Sequence, residues 1–325
     1  INHAAFDSIG LLTKILDQFK IPFISWFVDS PLYIFKNPDP QRSKFLYLFS
    51  WEKSYVDRLK ELQFENVFYL PLATGHEQLS SLELSEEEDK RFSCDCAFVG
   101  NSNKGNAEEW FDKEFSSDEF MKLSNLAIEK QITVPNREMR DIIRELDTLN
   151  LLAKFDMEFN LKYEAYCILR ATEIYRDRVV NKLSKEFDFK IFGDEEWLKL
   201  YPDHYYGKVD YYKELPKLYK KAKIIINVTS FQMVSAVNQR VFDVFSSGGF
   251  LISDYREDYD LLFGKGVIPV YKNPDDLTEI VKKYLADEEE RKSISESVKQ
   301  ILKKKHNYRL RLIELFEKVK NNYHE

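Results

Sequence analysis

Short apolar runs alternate with amphipathic segments along much of this chain. Near the front, apolar residues recur at helical spacing from Phe6 to Phe19, and the run "PFISWFV" follows. "FLYLF" then precedes a second helical pattern, from Tyr55 to Leu62, and "VFYLP" comes after it. Buried strands that alternate with helices are typical of right-handed crossovers and a parallel sheet. The pattern therefore predicts an α/β domain that is incomplete at its front.

A second series of apolar runs begins at Cys94. Four later strands are predicted, at 188–192, 223–228, 249–253 and 267–270, with helices between them and three more helices to the end. Residues 107–186 show helical spacing without a strand run, for example at Ile142, Ile143 and Leu146. We interpret them as a helical insertion in a second Rossmann-like domain.

These patterns divide the chain into three parts. Residues 1–76 are predicted to form an incomplete N-terminal Rossmann-like domain, 77–92 a linker, and 93–325 the C-terminal domain with its insertion. The segment 77–90 is polar and acidic, as linkers and exposed loops are. Ile1 is not an initiator methionine, so we expect the chain to begin inside a longer protein and the missing targeting segment to prove little.

Composition narrows the class of protein. The 325 residues are 44% hydrophobic and 15% aromatic, enough for two well-packed cores. Apolar runs such as Ile224 to Val228 are far shorter than the roughly 20 residues that a membrane span needs. A net charge of −7 argues against a nucleic-acid binder, which needs a basic face. Three cysteines give no even disulfide framework and no zinc spacing, so we expect a reduced, cytoplasmic protein without a bound metal.

The stretch 223–254 predicts an anion site. It reads as a buried strand, a polar loop, a helix that opens near Asn238 and a second strand. A helix N-terminus presents unpaired N–H groups and the positive end of its dipole. Arg240 and Asp243 lie three residues apart and project from one helix face. Arg240 can therefore clamp a phosphate, while Asp243 can accept hydrogen bonds from sugar hydroxyls.

The same stretch carries a resemblance to a known family. Arg240, Phe242, Asp243, Ser246 and Gly248 form the run "R-x-F-[DE]-x-x-[AS]-x-G". This run resembles the donor-site signature of glycosyltransferases with two facing Rossmann-like domains. The resemblance is in particular to the CgeB-like spore-maturation group. "CDCAFVGNSN", "FKIFGDEEW" and "GKVDYYKELPKLYKKAKIIIN" match in order before it. "GVIPVYKNPDDL" and "HNYRLRLIELF", similar to an "H-x-Y-x-x-R" close, follow it.

The resemblance implies a GT-B type fold, with two Rossmann-like domains that face a cleft, and a hexosyltransferase-like enzyme. Such an enzyme moves a sugar from a nucleotide-diphosphate donor to an acceptor glycan or protein, with no cofactor besides the donor. The acidic residue at Asp243 is usually Glu in that family and is thought to hold the donor ribose. Many relatives in the wider retaining class carry a further Glu eight positions upstream, where this chain has Ser235.

The donor-binding residues are expected at the carboxyl ends of the strands, where open α/β sheets bind ligands. The predicted set is Gly100, Asn101, Ser102, Lys104, Gly193, Asp194, Val209, Tyr211, Asn238, Gln239, Arg240 and Asp243. By resemblance, the loop with Gly193 and Asp194 approaches the nucleobase, and Val209 and Tyr211 flank its ring. Two alternatives stay open, that Lys104 is a solvated loop lysine and that Tyr211 is a core aromatic residue.

Two residues are predicted to act in catalysis. Negative charge builds on the departing diphosphate, and Arg240 is placed to stabilise it. Asp29 follows a predicted strand and can act as general base if the enzyme inverts the anomeric centre. It can equally be a helix N-cap or turn aspartate before Ser30 and Pro31. His3 and His76 are weaker candidates for the proton route.

Fold resemblance alone does not fix the reaction. Beside metal-independent glycosyl transfer, two alternatives stay open: a nucleotide-sugar epimerase on the same scaffold, and a catalytically silent module that binds nucleotide sugar. Transferase and epimerase differ in whether donor turnover requires an acceptor. A silent module binds the nucleotide and releases no sugar.

Overall fold

The computed structural model describes residue 6 and residues 9–35, 38–75 and 83–323. His3, His76 and the first part of the predicted linker lie outside the described residues. The described chain forms two separate parallel β-sheets, one of three strands and one of five. The predicted α/β class with parallel, Rossmann-like sheets is confirmed.

The first sheet contains three strands in the order β1-β2-β3. They are β1 (Phe23–Phe27), β2 (Leu46–Ser50) and β3 (Asn66–Tyr69). The register places Phe23 opposite Leu46 and Tyr47 opposite Asn66. Every residue of the central strand is buried, which explains why "FLYLF" has no alternation of polar and apolar residues.

The second sheet has the order β5-β4-β6-β7-β8. Its strands are β4 (Cys96–Val99), β5 (Phe189–Phe192), β6 (Ile224–Asn227), β7 (Leu251–Asp254) and β8 (Val270–Tyr271). The chain runs outward from β4 to β5 and then crosses back to β6, so the strand order reverses between β4 and β6. In doubly wound folds the loops diverge at such a switch point and leave a crevice for ligands.

Helices cover both sheets. They are α1 (Leu11–Gln18), α2 (Lys53–Glu61), α3 (Glu86–Phe92), α4 (Lys104–Glu109), α5 (Asp118–Thr133), α6 (Met139–Leu146), α7 (Met157–Ser184), α8 (Glu196–Leu200), α9 (Leu215–Lys221), α10 (Gln239–Ser246), α11 (Asp258–Phe263), α12 (Leu277–Ala286), α13 (Glu288–Lys305) and α14 (Tyr308–Asn322). Helices α4 to α7 occupy the segment in which the sequence predicts a helical insertion. Among the described residues, no helix has the length and apolar character needed to cross a bilayer.

One interpretation of the acidic segment is wrong. Residues 86–92 form a helix rather than an exposed loop, because Ser85 and Glu88 make a reciprocal capping box. The Ser85 hydroxyl accepts from the Glu88 N–H, and the Glu88 carboxylate accepts from the Ser85 N–H. Four acidic residues in the first turn further favour the helix, since they face the positive end of its dipole.

The last helix returns to the first sheet. The Tyr47 hydroxyl donates to the Asn322 carbonyl, and the Lys318 ammonium lies over the Phe68 ring. At the start of this return, Arg311 donates to the Pro71 carbonyl at 2.8 Å. The chain therefore passes twice between the sheets, once after β3 and once before α14, and the two passages are hydrogen-bonded to each other.

Candidate active site in the cleft between the sheets

The loop after β4 is held rigidly at the switch point. The Gly100 N–H donates to the Phe192 carbonyl at 2.9 Å, and the Gly100 carbonyl accepts from the Trp197 indole at 2.8 Å. A Cβ on Gly193 would lie 2.2 Å from that carbonyl oxygen, closer than any side chain allows. The absence of a side chain at Gly193 therefore lets the loops after β4 and β5 lie close together.

Asp194 holds the same loop. Its Oδ2 accepts from the Ser102 N–H at 2.8 Å and from the Ser102 hydroxyl at 3.1 Å. The sequence places Asp194 near a nucleobase, whereas this carboxylate shapes the loop between Gly100 and Lys104.

Arg240 leaves the first turn of α10 and points toward the end of β6. Its Nη1 donates to the Asn227 Oδ1 at 2.6 Å, and the Asn238 amide donates to the same oxygen at 2.8 Å. A Cβ on Gly100 would lie 3.2 Å from the Arg240 Nη2, so the guanidinium reaches across to the loop after β4. The Arg240 Nε is buried and makes no hydrogen bond.

A second arginine, which the sequence analysis missed, joins it from α7. The Arg176 Nη1 donates to the Asn101 carbonyl at 2.7 Å, and its Nε is also buried without a hydrogen bond. Burial, reinforced by the charge of Arg240, lowers the pKa of Arg176 to about 10. The sequence does carry a signal for it: Arg176 lies one turn from the buried Thr172, Val179 and Val180, so a charge interrupts the buried stripe of the helix.

These side chains open onto a cavity of about 460 Å³ between the two sheets, within the size range of small-molecule sites. It is lined by Trp26, Val28, Asp29, Trp51, Leu72, Arg176, Tyr211, Ser230, Gln232, Met233, Asn238, Gln239, Arg240 and Tyr308. The N-terminus of α10 faces it. The structure thus brings together five of the predicted site residues: Asp29, Tyr211, Asn238, Gln239 and Arg240.

Asp29 lines this cavity from the first sheet, just after β1. The N-cap residue of the following 3-10 turn (Pro31–Tyr33) is Ser30 and not Asp29. The alternative that Asp29 caps a helix is therefore wrong. Asp29 and Arg240 are 211 positions apart in the chain and line the same cavity from opposite sheets.

Asp243 lies beneath the cavity rather than in its lining. Its side chain is buried, and its oxygens accept from the Tyr211 hydroxyl at 2.7 Å and from the Gln239 amide at 2.8 Å. Burial and the nearby Asp243 carboxylate raise the pKa of Tyr211. Tyr211 is 40% exposed, so it is not a core aromatic residue. Its hydroxyl covers the carboxylate for which the sequence predicts a ribose contact.

The structure does not bring every predicted residue to the cavity wall. Gly100, Asn101, Ser102, Gly193 and Asp194 form the layer behind Arg176 and Arg240. Lys104 opens the short helix α4, and Val209 packs against the core; neither side chain lines the cavity.

Beside the cavity, Glu52 joins the two halves of the molecule. This fully buried side chain follows β2, and its Oε2 accepts from the N–H groups of Val234, Ser235 and Ala236 at 2.9 to 3.0 Å. Its Oε1 accepts from the Ser54 N–H and the Ser235 hydroxyl, both at 3.1 Å. Ser235, the position at which the resemblance implies Glu in many members of the wider retaining class, therefore binds a carboxylate from the other sheet. The sequence analysis missed Glu52, because its partners at 234–236 are more than 180 positions away in the sequence.

The motif "H-x-Y-x-x-R" lies at the second passage between the sheets. Arg311 donates to the His306 Nδ1 at 2.6 Å, and the His306 Nε2 then donates to the Leu262 carbonyl at 2.8 Å. Burial, reinforced by Arg311, lowers the pKa of His306 to about 4, so the ring is neutral. Tyr308 extends from this passage into the cavity and donates to the Gln239 Oε1 at 3.3 Å.

An Asp-x-Asp triplet, the pattern of metal-dependent transferases, is present at Asp258 and Asp260. Asp258 is fully buried and binds Lys53 of α2 and Tyr69 of β3. Asp260 accepts from the Tyr255 hydroxyl at 3.2 Å. Within the described ranges, no three His, Cys, Asp or Glu side chains are grouped as metal ligands.

Part of the chain matches a known protein family. Residues 176–317, which carry Arg176, Asn238 and Arg240, match the family described as glycosyl transferase-like. The match supports the predicted glycosyltransferase. No curated protein matches the chain in sequence.

Solved structures with a similar chain course include a UDP-forming α,α-trehalose-phosphate synthase and an α,α-trehalose 6-phosphate synthase. That from Burkholderia xenovorans is 10% identical, with a TM-score of 0.48 over 96% of this chain and 72% of its own. The enzyme from Burkholderia multivorans is 8% identical, with a TM-score of 0.47 over 96% of this chain and 73% of its own.

Proposed function

We propose that this protein is a metal-independent glycosyltransferase of the CgeB-like group, which transfers a sugar from a nucleotide-diphosphate donor to an acceptor glycan or protein. The observation that carries the proposal is the arginine pair, Arg176 and Arg240. Both guanidinium groups line one cavity at the switch point, each has a buried Nε without a hydrogen bond, and Asp29 lines the same cavity from the other sheet.

The arginine pair suits a diphosphate. A pKa of about 10 leaves Arg176 charged at neutral pH, beside a second charged guanidinium. Two half-buried positive charges that lie close together disfavour each other, and a doubly anionic group relieves that repulsion while it accepts hydrogen bonds from both guanidinium groups. Donors fixed in this way also stabilise the charge that builds on the leaving diphosphate. The N-terminus of α10 adds its dipole in the same direction.

The nucleoside would lie toward Tyr211, Gln239 and Asp243. The Asp243 carboxylate accepts hydrogen bonds from the Tyr211 hydroxyl and the Gln239 amide on this side of the cavity, and a carboxylate oxygen also accepts from a ligand hydroxyl. A ribose hydroxyl that reaches Asp243 must move the Tyr211 hydroxyl aside, which leaves the half-exposed tyrosine ring to pack against the nucleoside.

The acceptor would bind against the first sheet. Trp26, Trp51 and Leu72 give that wall of the cavity an apolar surface, and Asp29 supplies a carboxylate beside it. Sugar rings present apolar faces to aromatic side chains, so this wall suits an acceptor sugar. Asp29 would then take the proton from the attacking hydroxyl as the new glycosidic bond forms and the bond to the diphosphate breaks.

The test is release of nucleoside diphosphate from a nucleotide sugar that a thermal-shift screen shows to bind. We expect release to require an acceptor, and Asp29→Asn to slow it about 100-fold or more with little change in donor affinity. Epimerisation of the donor without an acceptor would replace the proposal with the epimerase. Donor binding without any sugar release, across a broad acceptor panel, would leave only a silent module. Full activity of Asp29→Asn would remove Asp29 from the mechanism.

A further inference from the structure

A second, larger cavity lies away from the cleft. It has a volume of about 650 Å³ and is enclosed by α2 of the first domain and by α6, α7 and the segment between them. Asn160, which lines it, and Arg176 of the cleft are 16 residues apart on α7, or about 24 Å along the helix axis. Its size is that of a small-molecule site, and it is separate from the donor cavity.

The charges that line this cavity cancel. Arg58, Arg140 and Arg144 face Glu61, Asp147 and Glu164, three cations against three anions. Two of the pairs are formed: Arg58 binds Glu164 through two hydrogen bonds of 2.6 and 3.0 Å, and Arg140 binds Glu61 at 2.6 Å. A charged ligand would break these pairs, whereas a neutral one leaves them intact.

Two polar atoms around the cavity are buried and make no hydrogen bond. One is an acceptor, the Asn160 Oδ1, and the other is a donor, the Arg140 Nε. The nearest carboxylate oxygen to that nitrogen, on Asp141, lies 3.5 Å away. Buried polar groups in native proteins are nearly always satisfied, so such atoms require an explanation. Hydroxyl groups both donate and accept, and a ligand that carries several of them satisfies both atoms at once.

Besides Asn150, the rest of the wall is apolar. It is formed by Leu32, Leu62, Ile143, Leu152, Met157 and Leu161. Sugars present hydroxyl groups at their edges and C–H groups on their ring faces. The charges that line the cavity cancel, a donor and an acceptor in it are unpaired, and the remaining surface is largely apolar. All three features fit an uncharged ligand with hydroxyl groups and apolar faces. We propose that this cavity binds a neutral saccharide, independently of the nucleotide-sugar site in the cleft.

The test is calorimetric titration of the full chain with uncharged sugars: glucose, galactose, N-acetylglucosamine and their β- and α-linked disaccharides. We expect at least one to bind, and Asn160→Leu to weaken it at least tenfold. Ala153→Trp, which fills the exposed rim of the cavity, should weaken it similarly. Asn181→Leu, at an exposed position of the same helix, should have no effect. Arg240→Ala should also have no effect, because it changes only the cleft.

Melting curves show whether each variant is folded. Because Ala153 is exposed, Ala153→Trp tests the site even if Asn160→Leu is unstable. Absence of binding by every sugar in the panel would overturn the proposal. An unchanged sugar affinity of Ala153→Trp would also overturn it. The same holds if glucose 6-phosphate binds more tightly than glucose and this binding is weakened in Asn160→Leu.

Discussion

Two sets of charged side chains lie at the boundary between the sheets, one fully buried and one half-buried, and they differ in how completely they are paired. Glu52 accepts five hydrogen bonds, three of them from consecutive backbone N–H groups. Arg176 and Arg240 each make a hydrogen bond through one Nη atom and none through the buried Nε. Glu52 follows β2 and Arg240 follows β6, both at this boundary, so position alone does not separate the two sets.

The difference in pairing separates a structural group from a ligand-binding one. A buried charge with all its hydrogen bonds made contributes to holding the two halves together, and it leaves nothing for a substrate. A half-buried charge with an unmade hydrogen bond and a like-charged neighbour is destabilising in the free protein. Such groups concentrate at functional sites, where a ligand supplies what the protein omits.

Removal of the paired charge should have the largest effect on stability. Glu52→Ala leaves three consecutive N–H groups buried and unpaired, so we expect the free energy of unfolding to fall by about 3–5 kcal/mol. Urea denaturation measures this loss. Glu65→Ala, at an exposed position, is the matched control and should change it by less than about 0.5 kcal/mol. A loss below about 1 kcal/mol for Glu52→Ala would show that the 234–236 loop does not depend on Glu52.

His306 gives an intermediate effect that depends on pH. Its pKa in the folded protein, about 4, lies below the ordinary value of 6.5, so folding favours the neutral ring. The stabilisation is complete above pH 6.5 and is lost as pH falls toward 4, by up to about 3 kcal/mol. Unfolding measured from pH 7.5 to 4 should therefore show a shallower decline for His306→Gln than for the parent chain. An equal decline of the free energy of unfolding in His306→Gln and the parent chain would mean that His306 does not contribute to the pH dependence. His204→Gln is the control variant.

Removal of an unpaired charge should have the smallest effect on stability. Arg176→Met loses the hydrogen bond to Asn101 but also removes a desolvated charge and its repulsion from Arg240. We expect the free energy of unfolding to change by less than about 1 kcal/mol, in either direction. Arg178→Met, exposed on the same helix, is the control. If Arg176→Met lost as much free energy of unfolding as Glu52→Ala, Arg176 would be a structural residue. The contrast between Glu52 and the two arginines would then not hold.

Local sequence patterns predicted the fold well because each buried strand is a continuous apolar run between helices. β6 was predicted at 223–228 and spans Ile224–Asn227. The short strand β8 was placed too early, at 267–270, and consists of Val270–Tyr271. Asp29 and Arg240 could be placed in one cleft because each follows a strand of its own sheet, and the resemblance implies two domains whose strand ends face each other.

Arg176 and Glu52 could not be found in this way, because their partners are remote in sequence. Arg176 binds a carbonyl 75 residues away, and Glu52 binds Ser235 at a separation of 183 residues. Sequence spacing shows which side chains share a helix face, but it does not show which loops meet across two sheets. The helix after Ser85 was missed for another reason: its acidic composition favoured a loop, although its capping box was present in the sequence.

Calorimetric titration shows whether Arg176 and Arg240 form the proposed diphosphate site. A nucleoside diphosphate and its nucleoside are compared on the parent chain, Arg176→Ala and Arg240→Ala. Each variant should bind the diphosphate about 10- to 100-fold more weakly, the loss of a charge-assisted hydrogen bond of roughly 1.5–3 kcal/mol. Binding of the nucleoside should stay unchanged. Equal losses for the nucleoside and its diphosphate would contradict the account.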